Sequence, residues 1–246
     1  MSSKACFKTE EDLYRVVCVT FGRLKRRMPE SVRQLLDAPV MYESRKIDDR
    51  TVHILAEKSH YTRAQVDKVH TDLVPLLAAD PSSWLLLREG ATMREQRLFD
   101  FPSSYYFQEL ASFFRVPYKE AIPELDDEET REYITGKTQL PDEDLDWFVH
   151  TATMVDEGVR QSLSADGLND YVRTLQKNLK RPHFNASPEY VRKIIGYGLM
   201  SDELFLRIGQ CWNELVQKNF HKLLCAYPDK TNIIVSVGSG HAGAFQ

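Results

Sequence analysis

The chain has 246 residues, of which 42% are hydrophobic and 28% charged, and its formal net charge is −4. This length suits one large domain or two small ones with a hydrophobic core, and the composition excludes a collagen, a coiled coil and a wholly disordered chain. A slightly acidic chain has no general attraction for nucleic acid or anionic membranes, so we expect neither as a partner. The basic run at residues 23–27 is interpreted as the solvated end of a helix or, alternatively, as a patch for a partner or nucleic acid.

The cysteines and the N-terminal sequence predict a reducing, intracellular location. Four cysteines are too widely separated for a zinc ribbon or a redox pair: Cys6, Cys18, Cys211 and Cys225. Residues 1–11 are too polar for a signal peptide, and no run approaches the roughly 18 apolar residues of a membrane span. We therefore expect a cytoplasmic protein with reduced thiols. Secretion by a route that reads non-cleaved signals stays open as the alternative.

The first 120 residues predict helices followed by a βαβ unit. Acidic residues after Thr9 predict a helix start, and a second short helix is expected from Pro29. A turn at residues 48–50 precedes a predicted strand at 51–57, a helix at 62–79 capped by Thr62, and an apolar strand at 83–87. Strands joined through a helix in this way are expected to be parallel.

The rest of the chain predicts a long helical region and one final strand. A helix is expected at residues 103–115 with a short strand at 116–118. Helices dominate from there up to residue 224, and the clearest are at 169–179, 188–195 and 201–225. Residues 231–237 have the strongest strand pattern in the sequence. The simplest arrangement places this last strand beside the early ones.

These elements predict a single α/β domain over residues 1–246. Its central sheet is expected to be mostly parallel, with a large helical insertion between the early strands and the last one. Its expected parts are N-terminal helices at 1–47, the βαβ part at 48–120, a helical part at 121–228, and the last strand with its Gly-Ser-Gly-His sequence at 229–246.

Polar residues follow three of the predicted strands. Glu57 and His60 follow the first strand, Glu89 follows the second and His241 follows the third. Because ligands of open α/β sheets bind beyond the carboxyl ends of the strands, we predict that these four side chains form one site. For each side chain a structural interpretation stays open: a capping or loop role for His60, and surface ion pairs for Glu57 with Lys58 or Arg63 and for Glu89 with Arg88 or Arg94.

Two chemistries suit such a set. His60, Glu89 and His241 could bind a divalent metal that polarises a carbonyl group and activates water. Without a metal, a histidine could act as general base while a carboxylate orients it, and the glycines beside His241 would let backbone amides approach an oxyanion. His53, by contrast, lies inside a predicted strand and is interpreted as a sheet residue.

Three short motifs resemble those of the erythromycin-esterase, ChaN-like, TraB and TIKI superfamily. The matching stretches are residues 54–60, ending in Glu-Lys-Ser-His, residues 84–90, ending in Glu-Gly, and residues 235–241, ending in Gly-Ser-Gly-His. The resemblance spans about residues 51–241 and implies an α/β fold with its site at Glu57, His60, Glu89 and His241. Lys58 departs from the superfamily pattern, and a lysine at this position would repel a divalent cation.

Three functions follow as hypotheses. The first is a hydrolase of peptide or ester bonds, with or without a metal ion, acting on a small-molecule or peptide substrate. The second is a binding or interaction protein that has kept the fold without the chemistry, which Lys58 favours. The third is a haem- or iron-handling protein that uses the histidines and Tyr61 as ligands.

Overall fold

The structure is a computed structural model, and it describes residues 7–27, 39–57, 62–89, 102–122, 128–139 and 202–245. The predicted helices at residues 169–179 and 188–195, and the short helix from Pro29, lie outside these residues. Within the described residues no helix is long and apolar enough to cross a membrane.

The first helix, α1, spans Glu10–Arg27. The backbone N–H of Asp12 donates to the Thr9 hydroxyl oxygen at 3.1 Å, which caps a first turn rich in acidic side chains. The predicted start of this helix is therefore confirmed.

Two antiparallel strands follow α1. Strand β1 (Met41–Ile47) and strand β2 (Arg50–Glu57) are joined by a turn in which Asp48 has a φ of 54°, a left-handed conformation that aspartate tolerates better than most residues. The prediction of only helices within residues 1–47 is therefore wrong at β1. Its side chains are mostly exposed, so it has little apolar pattern and is stabilised by pairing with β2.

The helix predicted at 62–79 is present but contains an irregular turn. It has α-helical segments at Arg63–Lys68 and Val74–Ala79 with a π-helical segment at Val69–Leu73 between them, and we name the whole α2. Pro75 explains the wider turn, because proline has no N–H to donate and its ring collides with the preceding turn of an α-helix. Thr62 occupies the N-cap position, but its side chain makes no capping hydrogen bond, contrary to the prediction.

The remaining elements agree with the predicted order. A 3-10 turn at Pro81–Ser83 leads into β3, and the elements up to residue 120 are β3 (Trp84–Arg88), α3 (Pro102–Phe114) and β4 (Tyr118–Glu120). Beyond residue 120 the described elements are α4 (Glu128–Thr138), α5 (Asp202–Ala226), β5 (Asn232–Gly238) and a 3-10 turn (Ser239–Ala244).

The five strands form one mixed sheet in the order β1-β2-β5-β3-β4. Only β1 is antiparallel to its neighbour; β2, β3 and β4 all run parallel to β5 or to each other. The last strand therefore returns between the two strands of the βαβ unit, and the predicted α/β fold with a mostly parallel sheet is confirmed. Glu57 lies opposite Gly238, and Arg88 lies opposite Ser236, so these strand ends meet at one edge.

Each face of the sheet has its own hydrophobic core. On one face Leu55, Leu86 and Ile234 pack against residues of α1, α2 and α3. On the other face Ile54, Leu87 and Val235 pack against α5 and the C-terminal turn. Because side chains alternate along a strand, the parity of a residue decides which face it occupies.

His53 is a buried sheet residue, as predicted. Its Nδ1 lies 2.9 Å from the Tyr42 hydroxyl oxygen, and its ring stacks on Trp84 with centroids 5.6 Å apart. Burial lowers the pKa of His53, with a smaller contribution from the charge of Lys46.

This lowered pKa predicts a loss of stability in mild acid. Below about pH 6.5, the ordinary pKa of histidine, the unfolded chain takes up a proton that folded His53 resists, so the free energy of unfolding falls as the pH falls. We expect His53→Phe to flatten this slope between pH 7.5 and 5, measured by urea denaturation. His221→Gln, at an exposed histidine of α5, serves as control, and equal slopes in all three proteins would contradict the prediction.

Candidate functional site

Glu89 and the end of β5 meet at the carboxyl edge of the sheet. The N–H of Glu89 donates to the Ser236 carbonyl oxygen at 2.9 Å, which extends the ladder between β3 and β5 by one residue. The Glu89 Oε2 accepts a hydrogen bond from the N–H of Gly238. The carboxylate is thereby held against the backbone of the neighbouring strand.

Gly238 leaves room for this close approach. A Cβ atom at position 238 would lie 3.0 Å from Glu89 Oε2 and 3.7 Å from Oε1, so a larger residue would displace the carboxylate by a few tenths of an ångström. The residue has a φ of −65°, so its conformation does not itself favour glycine. We expected glycine amides here to approach a ligand; the Gly238 amide approaches the chain's own Glu89.

His241 lies beside this carboxylate. It belongs to the 3-10 turn after β5, and its Nε2 is 3.7 Å from Glu89 Oε1. The side chains of His241 and Glu89 are 11% and 16% exposed, so both are partly shielded but reachable from solvent. The structure therefore brings together two of the four predicted site residues.

Asn213 on α5 fixes the orientation of the His241 ring. The Asn213 Nδ2 donates to the Gly240 carbonyl oxygen at 2.9 Å, so its Oδ1 must be the atom that lies 2.6 Å from His241 Nδ1. An amide oxygen only accepts, so Nδ1 carries the hydrogen and the neutral ring has its lone pair on Nε2. Trp212 packs edge-on against the same ring, with centroids 4.5 Å apart and planes at 79°.

The contributions of Trp212 and Asn213 were missed in the sequence. Both lie in the long helix α5, almost thirty residues before His241, and no local motif links them to the strand ends. The available indication was only that α5 must pack on the sheet somewhere.

Glu57 occupies the opposite face of the sheet. Its Oε1 lies 3.6 Å from Arg88 Nη2, and the two side chains are 1% and 4% exposed. Glu57 and Arg88 share the face of Leu55 and Leu86, which α1, α2 and α3 cover, whereas His241 contacts α5 on the other face. Glu57 therefore belongs with Arg88 rather than with Glu89 and His241.

Arg88 is the centre of a buried polar cluster. Its Nε donates to Ser104 at 2.8 Å, its Nη2 to Ser103 at 3.1 Å, and its Nη1 to Ser236 at 2.6 Å. The same Nη1 lies 3.3 Å from the Oε1 of Gln65, whose Nε2 donates to the backbone of β2. The guanidinium thus connects β2, β3, β5, α2 and α3. We name Arg88 and its partners the Arg88 cluster: Glu57, Gln65, Ser103, Ser104 and Ser236.

His60, the fourth predicted residue, lies outside the described residues. Among those that are described, no group of three or more histidine, cysteine, aspartate or glutamate side chains is arranged to hold a metal ion. The structure consequently describes only two members, Glu89 and His241, of the predicted three-residue metal set.

Comparison with known proteins gives no relative for this chain. No family model matches it, and no curated protein and no solved structure shows significant similarity to it.

Proposed function

We propose that the chain is a hydrolase of ester or peptide bonds, with His241 and Glu89 as its acid–base pair. The observation that carries this proposal is the hydrogen bond from His241 Nδ1 to Asn213, which directs Nε2 towards Glu89 Oε1 at 3.7 Å. The resemblance to the esterase-containing superfamily remains a prediction, and the proposal is argued from this geometry.

His241 supplies the proton transfers in this proposal. Its Nε2 takes a proton from a water molecule as the water oxygen bonds to the carbonyl carbon of the substrate. The imidazolium then returns that proton to the leaving alcohol or amine as the bond to the carbonyl carbon breaks, which leaves a carboxylic acid. Asn213 keeps the ring in the required tautomer throughout.

Glu89 stabilises the charged form of His241. The 3.7 Å separation is longer than a hydrogen bond, and protonation of Nε2 would favour a shorter, charge-assisted contact. The N–H of Gly238 stabilises the negative charge of Glu89 and holds the carboxylate in place. Glu89 is therefore placed to stabilise the positive charge that develops on His241 during the reaction.

The same two side chains also suit a metal-assisted form. Ligand atoms that each lie about 2.0–2.2 Å from a divalent ion can be separated by the distance seen here between Glu89 and His241. The bonds from Asn213 and Gly238 are of the kind that orient metal ligands. A metal at this place would polarise the substrate carbonyl and lower the pKa of a bound water, and His60 is the expected third ligand.

A binding protein on the same fold is the competing proposal. It is supported by Glu57, since a carboxylate buried against Arg88 has a structural role and cannot reach a substrate on the other face.

The test is a hydrolysis assay of the full chain on nitrophenyl esters and fluorogenic peptides, with elemental analysis of the same samples. We expect turnover of one substrate class that is lost in His241→Gln and kept in His221→Gln, the matched substitution at an exposed histidine of α5. Bound metal that disappears in His241→Gln identifies the metal-assisted form, whereas turnover that resists chelators identifies histidine alone. No turnover before or after metal reconstitution, or full activity in His241→Gln, would refute the hydrolase.

A further inference from the structure

The outer edge of β1 has a regular row of backbone donors and acceptors. The N–H of Thr51 donates to Thr231 at 2.8 Å, so odd-numbered residues of β2 direct their backbone groups to β5 and even-numbered residues direct theirs to β1. The register pairs each even-numbered residue of β2 with an odd-numbered residue of β1. Tyr42, Ser44 and Lys46 therefore direct their backbone N–H and C=O groups outward.

This edge is long and exposed. β1 is the terminal strand among those that the structure describes, and all seven of its residues pair with β2 without a bulge or a proline. Residues 41–44 and 46 are exposed, with Met41 at 57%. An edge strand with no described strand beyond it is a template for pairing with another strand. The opposite edge, β4, has only three residues, all partly buried.

We propose that the occupant of this edge is a second copy of the chain, paired antiparallel through β1 about a two-fold axis at Ser44. In this register Ser44 lies opposite Ser44 of the copy, and Tyr42 lies opposite Lys46. All three are residues whose backbone groups point outward, so each of these pairs exchanges backbone hydrogen bonds. The two five-stranded sheets become one continuous sheet.

The charges of β1 favour this partner. Glu43 lies opposite Arg45 of the copy, and Arg45 lies opposite Glu43, at the positions where cross-strand side chains come closest. Within one chain these two side chains already form an ion pair at 2.5 Å, and they are 57% and 26% exposed. Pairing thus produces four charges of alternating sign. The same charges disfavour strands of other sequence, so they select the copy as the partner.

The contact area predicts a weak dimer. One pair of seven-residue strand edges buries less than the roughly 1,200–2,000 Å² of a stable interface. The fraction of dimer is therefore expected to rise with protein concentration, which makes the association measurable.

The test is analytical ultracentrifugation of the full chain over a wide concentration range. We expect reversible dimerisation, weakened by about tenfold in Glu43→Arg and in Arg45→Glu, because each single change places like charges opposite each other. The double variant E43R/R45E restores opposite charges and should restore the affinity. Ser44→Pro removes an outward N–H and should abolish the dimer, while Arg23→Glu, the same charge change on the exposed face of α1, should leave it unchanged.

Circular dichroism of each variant checks that the monomer remains folded. A wild-type protein that stays monomeric at every concentration would refute the proposal. A dimer that ignores the single substitutions, or a double variant as weak as either single one, would also refute it, because the charge register about Ser44 would then be wrong.

Discussion

Replacement of Arg88 by methionine is expected to lower the free energy of unfolding by about 3–5 kcal/mol. Arg88 is 3% exposed and donates to three serine hydroxyls on two different elements, while Glu57 lies 3.6 Å from its guanidinium. The substitution removes the guanidinium beside the buried Glu57 carboxylate, and breaking a buried ion pair is far more costly than losing a surface contact.

Urea denaturation provides the measurement. The double variant R88M/E57M should recover part of the lost stability, because both charges of the buried pair are then removed. Arg63→Met is the matched control: Arg63 pairs with Asp67 at 2.9 Å, but its side chain is 48% exposed, so its loss should cost less than about 1 kcal/mol. An effect of Arg88→Met as small as that of the control would show that the Arg88 cluster is hydrated.

The parallel part of the sheet could be predicted because its pattern is local. Strand β5 is largely apolar, and β2, α2 and β3 follow one another with the spacing of a βαβ unit. Such runs are typical of strands covered on both faces. The π-helical turn in α2 is a local consequence of Pro75, but a helical pattern alone does not specify how the backbone adjusts.

Strand β1 was missed because its stability is not local. Its sequence, Met-Tyr-Glu-Ser-Arg-Lys-Ile, has apolar residues only towards its ends and four consecutive polar residues between them. An edge strand of this kind is held by hydrogen bonds to β2, and nothing in its own composition requires a strand.

The three motifs alone could not predict that Glu57 lies apart from His241. All strand ends were correctly expected at one edge, but the face that each side chain occupies depends on the register between strands. The register sets Arg88 opposite Ser236 and Glu57 opposite Gly238, which places Glu57 in the Arg88 cluster. Asn213 was equally inaccessible, because its contact with His241 depends on how α5 packs on the sheet.

Replacement of the two strand-end carboxylates by glutamine should therefore have different effects. Glu89→Gln should lower turnover, whereas Glu57→Gln should lower stability. Glu89→Gln retains an oxygen that can accept from Gly238 but removes the charge that faces His241, so turnover should fall by roughly 10²–10⁴-fold. Stability should change by less than about 1 kcal/mol, because the side chain is partly exposed.

Glu57→Gln should show the reverse pattern. The Arg88 charge loses its buried counter-ion, so the free energy of unfolding should fall by several kcal/mol, by roughly the 3–5 kcal/mol typical of a broken buried pair. Turnover per folded molecule should stay close to that of the wild type, because Glu57 contacts Arg88 on the face opposite to His241. Both quantities are measured on the same samples, with the folded fraction taken from circular dichroism at the assay temperature. Equal losses of turnover in the two variants would mean that both carboxylates serve one site, in contradiction to the burial of Glu57 against Arg88 on the face opposite to His241.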